Sequence, residues 1–85
     1  MNPKIKIAAL DFVKSKFRPG YENNLKGQEL HDEYSRECEL FENHFKLMSK
    51  DEIQTYHDFV VWIDYSEMWK TDLTIDELWD IHNGI

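Results

Sequence analysis

The stretch HDEYSRECELFENHF, residues 31 to 45, sets five carboxylates, two histidines and the chain's only cysteine within about four helical turns. Side chains of these types can bind a metal, move protons, attack an electrophile or meet a cationic surface. Spacing decides among them. A metal held on one helix needs ligands three or four residues apart, so that two side chains converge on one ion. None of His31, His44, His57 and His82 has Asp, Glu, His or Cys at those offsets. Cys38 and His31 lie seven residues apart, about 10 Å along a helix, too far to clamp one ion. No metal and no cofactor is expected.

Nucleophilic chemistry at Cys38 would need a base in contact and a cationic setting. The residue has carboxylates around it and sits on an apolar stripe, so it is read as a small core residue. Glu37 falls within the arc of Leu30, Phe41 and His44, where an apolar residue is expected. As an acid–base group it would work with His44, two turns away. As a shoulder residue it reaches water or pairs with a lysine of the first helix, and this second reading is preferred. His57 and Asp64 show the same two-turn offset and are read the same way. A glycine-rich phosphate loop, a G-x-S-x-G elbow and a paired-carboxylate pattern are all missing, so the chain is read as a non-enzyme.

The elements that carry these residues read as helices. Asn2 before Pro3 is an N-cap followed by a first-turn proline, whose missing N–H is not needed there. Ile5, Ala8, Ala9, Phe12 and Val13 share one side of a helix over about residues 3–17. Turn residues in RPGYENN, notably Pro19-Gly20 and Asn23-Asn24, break it. A second helix over about 28–48 carries Leu30, Tyr34, Cys38, Phe41, Phe45 and Met48 at spacings of three and four. Ser49 with Glu52 forms a capping box that opens a third helix over about 50–70, and Thr74 with Glu77 opens a fourth. Helix 3 is apolar on two sides, with Ile53, Tyr56, Phe59, Val60 and Ile63 on one and Trp62, Tyr65 and Trp69 on the other. Its FVVWI run would suit a strand, but the capping box favours helix. The expected fold is all-α: one domain over residues 1–85, a compact bundle of about four helices, two long and central, two shorter and flanking.

Length, 41% apolar content and 14% aromatic content allow one core and argue against disorder. A lone cysteine fits a reducing, cytoplasmic compartment, and no run is long enough to span a membrane. Net charge is −7 but polarised: residues 1–26 hold six cations against two acids, net +4, and residues 27–85 hold four against fifteen, net −11. That balance attracts basic partners and opposes direct nucleic-acid binding, which would have to use Lys14, Arg18 and their neighbours. Glu29, Asp32, Glu33, Glu39 and Glu42 line the polar face of helix 2, with Glu37 nearer the core. Over about 20 Å these six approach the charge spacing of a nucleic-acid strand.

The sequence therefore predicts an acidic adaptor or inhibitor that occupies a basic surface of a protein partner, in its sharpest form by charge mimicry of nucleic acid. Trp62, Tyr65 and Trp69 are the candidate anchors, Trp69 being expected as the exposed one. The alternative is a homodimer or obligate complex formed through those aromatics.

Overall fold

Asn2 accepts a hydrogen bond from the Lys4 backbone N–H at 2.8 Å and Pro3 fills the first turn, so α1 (Pro3–Lys16) starts where its capping chemistry dictates. The structure, a computed structural model, describes residues 1–18, 20–21 and 24–84. Of the expected break, Pro19, Glu22 and Asn23 lie outside the described residues. After it come α2 (Gln28–Phe45), α3 (Lys50–Tyr65), a single 3₁₀ turn (Met68–Lys70) and α4 (Ile75–His82). The fold is an all-α bundle, and no strand occurs among the described residues.

Both capping boxes form. Ser49 and Glu52 exchange backbone and side-chain bonds at 2.8 and 3.3 Å, and Thr74 and Glu77 do the same at 3.2 Å each. Each satisfies two helix-end N–H groups that would otherwise lack partners. α3 ends earlier than its apolar pattern suggests. Glu67 takes a left-handed conformation, φ 57°, which no helix can continue through. The chain turns there and carries Trp69 back toward α1.

The core is made by three helices. Ile5, Ala8, Ala9 and Phe12 of α1 meet Tyr56, Phe59, Val60 and Ile63 of α3, and Ile75 and Leu78 of α4 close the end. Both four-residue sets follow the i, i+3, i+4, i+7 rhythm of a single helix face. Ala8 and Ala9, having almost no side chain, let α1 come close to α3.

The longest helix is the exception. α2 has 18 residues and contributes none to the buried core. Its C-terminal half leans on the core edge: Phe41 stacks on Phe12 at 5.0 Å between ring centres, and Phe41 and Phe45 meet Tyr56 edge-on at 6.1 and 6.0 Å. Toward its N-terminus it is tied to α1 and to Arg18, just after α1, by polar groups. Arg36 donates to the Ser15 carbonyl at 2.6 Å, Arg18 bonds Glu33 at 3.0 Å, and Lys16 bonds Glu37 at 3.0 Å. The apolar stripe of α2 is therefore half used. Leu30, Tyr34 and Cys38 remain exposed, and the expectation that Cys38 is a core residue is corrected. Among the described residues no further helix covers them.

Candidate partner-binding site

Gly27, at φ 62°, opens α2 in a conformation that costs glycine little, and no side chain caps the helix end. Glu29 stands in the first turn, where the helix dipole favours a negative group. From there the acidic residues divide into two sets. Glu29, Asp32, Glu39 and Glu42 are exposed. Asp32 accepts from the Gln28 amide at 2.8 Å and lies 3.9 Å from His31, and none of the four pairs with Lys or Arg among the described residues. Glu33 and Glu37 turn inward.

Glu33 does not belong to the outer face expected for it. Its carboxylate meets the Arg18 guanidinium through two contacts, at 3.0 and 3.4 Å, with only 11% of the side chain exposed. Two carboxylates of six are thus neutralised by the first segment. The remaining four over about 20 Å give one charge per roughly 5 Å, sparser than the phosphates of a nucleic-acid strand.

Glu37 belongs to a node that ties three helices together. The Lys16 ammonium is buried and donates to Glu37 and to Asp64 of α3, both at 3.0 Å. Burial alone would pull this lysine down, but hydrogen bonds and charge from Glu37 and Asp64 outweigh it and hold it above its ordinary value of 10.5. It is a clamped cation, the opposite of the free amine a lysine nucleophile requires. The node floors a cleft of about 290 Å³ that is also lined by Tyr21, Leu30 and Tyr34.

A second node ties the same helices further along. The Asp11 carboxylate can only accept, so His44 Nε2–H donates to it, at 2.7 Å. His44 Nδ1 then accepts from the Tyr56 hydroxyl at 2.5 Å. Asp, His and a hydroxyl in a row have the order of a nucleophilic triad. Tyr56 is fully buried, however, and burial, with the charges of Asp11 and Glu37, pushes its hydroxyl well above 10. No substrate can reach that oxygen, and the row serves to hold α1, α2 and α3 together. Glu37 and His44, considered as a pair from sequence, lie in separate networks. His57 packs against Phe41 at 5.3 Å between ring centres, and Asp64 belongs to Lys16. Among the described residues no three His, Cys, Asp or Glu side chains are grouped to hold a metal.

Comparison with protein-family models, with curated proteins and with solved structures returns no match. The site is therefore read from its own chemistry.

The three aromatic candidates separate. Trp62 is half-buried, stacked on Phe59 at 6.3 Å and packed against His82 at 5.0 Å. Trp69, expected as the exposed member, lies flat on Phe17 at 4.7 Å with Tyr21 edge-on at 5.3 Å. The turn at Glu67 brings it there. Tyr65 is the exposed one, at 91%. Two further residues are open: Ile7, and Leu47, which helical spacing sets on the widened apolar stripe of α2 and which the fold leaves in solvent. The signal for Ile7 was present, since it falls among Lys4, Asp11 and Lys14 on the polar side of the α1 wheel.

Proposed function

We propose that the protein is a non-enzymatic interaction module that docks a basic surface of a protein partner on the outer face of α2. One observation carries the reading: an 18-residue helix adds nothing to the buried core while presenting Glu29, Asp32, Glu39 and Glu42 to solvent. At the edge of the helix that lines the cleft over Lys16 and Glu37, Leu30 and Tyr34 are exposed and supply apolar contact that charge alone cannot. In this reading the carboxylates steer a cationic partner and speed its encounter, and the exposed apolar residues, with Tyr65 on the neighbouring α3, give the complex its lifetime. Trp62 and Trp69 support the fold instead of anchoring the partner. The buried polar nodes are structural, because Lys16 is clamped and Tyr56 is enclosed.

The test compares wild type with Asp32→Lys/Glu39→Lys/Glu42→Lys as immobilised bait in host lysate at low and at high salt. Basic proteins should bind wild type at low salt, leave at high salt and fail to bind the triple variant. Retention of the same proteins by both baits, independent of salt, would rule the acidic face out.

A further inference from the structure

We propose that the cleft floored by Lys16, Glu37 and Asp64 receives one arginine side chain of the basic partner. The inference rests on the preceding reading for that partner, and it adds the chemical group the cleft would hold. Lys16 comes from α1, Tyr21 and Leu25 from the connection after it, Tyr34 and Glu37 from α2, and Asp64 from α3. The volume of about 290 Å³ lies just below the roughly 300–1,000 Å³ of sites for drug-sized ligands, so it suits a single side chain.

The floor sets the charge of what fits. The Lys16 side chain is 6% exposed and holds one oxygen of Glu37 and one of Asp64, each at 3.0 Å. One cation between two carboxylates leaves the node a surplus negative charge. The second oxygen of each carboxylate accepts no hydrogen bond among the described residues, and water reaches both side chains, at 23% and 40% exposure. Glu33, the third carboxylate of the lining, is balanced by Arg18. An anion entering here would meet three carboxylates for one ammonium. A group of charge +1 would bring the node to neutrality and find two oxygens ready to accept from it.

The walls choose among cations. Tyr21 and Tyr34 line the cleft together with Leu25 and Leu30. Phe17 and Trp69 meet the Tyr21 ring edge-on at 5.2 and 5.3 Å, so its place is set before anything binds. Burial, then the charges of Asp64, Glu33 and Glu37 against that of Lys16, hold the Tyr21 hydroxyl above its ordinary value of 10.0, and the ring stays neutral. Tyr34 is 61% exposed and free to meet a ligand. A guanidinium is planar, packs on aromatic faces and offers paired N–H groups to carboxylate oxygens. A lysine ammonium is a strongly hydrated point charge and gains less from such walls.

The neighbouring surface says where the arginine comes from. Leu25 and Glu33 also wall a second cleft, lined by the exposed Glu29 and Asp32. Arg18 and Arg36 line it too, but are engaged by Glu33 and by the Ser15 carbonyl. Because the two clefts share a wall, a chain resting on Glu29 and Asp32 lies beside the node, which favours a side chain over a free cation.

NMR titration of the isotope-labelled full chain at low salt tests this with three blocked tripeptides. They carry arginine, lysine or citrulline between two glycines, citrulline being the uncharged isostere of arginine. The arginine peptide should shift the amides of Tyr21, Leu25, Tyr34, Glu37 and Asp64 saturably, with Kd of about 1–10 mM, and the other two should bind at least about fivefold more weakly. Asp64→Asn removes the surplus charge while Lys16 keeps Glu37, and should weaken the arginine peptide roughly tenfold. Tyr34→Ser removes the open wall and should weaken it roughly threefold; it is the second variant should Asp64→Asn lose its helical circular dichroism. Cleft amides unmoved at about 50 mM arginine peptide, equal binding of the lysine or citrulline peptide, or undiminished binding by folded variants overturns the proposal. Basic lysate proteins held by wild type while the arginine peptide stays unbound would sink this inference and leave the preceding reading standing. The peptide bound with no basic protein held would sink the preceding reading and, with it, a partner's arginine as the occupant.

Discussion

α2 and α3 differ by two residues in length, 18 against 16, and both carry an apolar stripe at helical spacing, yet α3 buries four residues and α2 none. The difference lies in what each helix meets. α3 faces the apolar arc of α1 and is closed by Ile75 and Leu78 of α4. α2 meets α1 through one ring, Phe41 on Phe12, and otherwise through Asp11, Ser15 and Lys16 of α1 and Arg18 just after it, which offer charges and a carbonyl. A stripe records which side of a helix is apolar. Whether that side is covered depends on how many neighbours have apolar surface left to give.

The largest test of this contrast is in the core. Phe59→Ala, at a fully buried site, should cost about 3–5 kcal/mol in urea unfolding. Phe45→Ala, at the half-buried edge of α2, should cost about 1–2 kcal/mol, scaled down because its site collapses toward water. Equal costs would mean that α2 is as integral as α3 and would break the comparison.

Next come the ionic ties. Lys16→Met leaves Glu37 and Asp64 without their cation, but their side chains keep 23% and 40% exposure, so water takes part of the load. The expected loss is about 1–3 kcal/mol, below the roughly 3–5 of a fully buried pair. In a double-mutant cycle with Glu37→Gln, a coupling above about 0.5 kcal/mol is expected in urea unfolding, and strict additivity would show that the pair does not tie α2 to α1.

pH sharpens the same point. Lys16 and Tyr56 are both held above their ordinary values of 10.5 and 10.0 in the folded chain. A raised group contributes stability that is complete below its unfolded value and lost as pH rises through its folded value. Melting temperature should therefore be level through neutral and mildly alkaline pH and fall above about pH 10. Lys16→Met removes one contribution and Tyr56→Phe the other, so each variant should show a shallower alkaline fall than wild type. An unchanged slope in both would contradict the two nodes.

The smallest effect is the most telling about α2. Leu30→Ala and Tyr34→Ser, on its exposed apolar side, should change unfolding free energy by no more than about 0.5 kcal/mol. A loss above about 1.5 kcal/mol would place them in a core the structure does not give them.

The features legible in the sequence are those decided within a few residues. Asn2-Pro3, Ser49 with Glu52 and Thr74 with Glu77 each set a helix start through contacts no more than three positions away. Helix number and order followed from periodicity, as did the buried sets of α1 and α3 apart from Val13 and Ile53, which stay half-buried. Glu37 stood out as a carboxylate on an apolar arc, and its partner is indeed a lysine of the first helix. Cys38 and Tyr34 were misjudged because burial depends on neighbours that local spacing does not name. Glu33 was misjudged because Arg18, fifteen residues away, reaches it only once α1 and α2 are side by side. Trp69 needed the left-handed turn at Glu67, which no glycine announces.

The central claim is that the outer face of α2 meets a cationic partner, and residue-resolved NMR tests it most directly. Amide shifts of the labelled protein are followed as a basic protein recovered from lysate is added. The account predicts perturbations concentrated along residues 29–42, fading as salt is raised and missing in the variant carrying Asp32→Lys, Glu39→Lys and Glu42→Lys. Saturable binding that leaves those amides unmoved and shifts only α3 and α4 would contradict it.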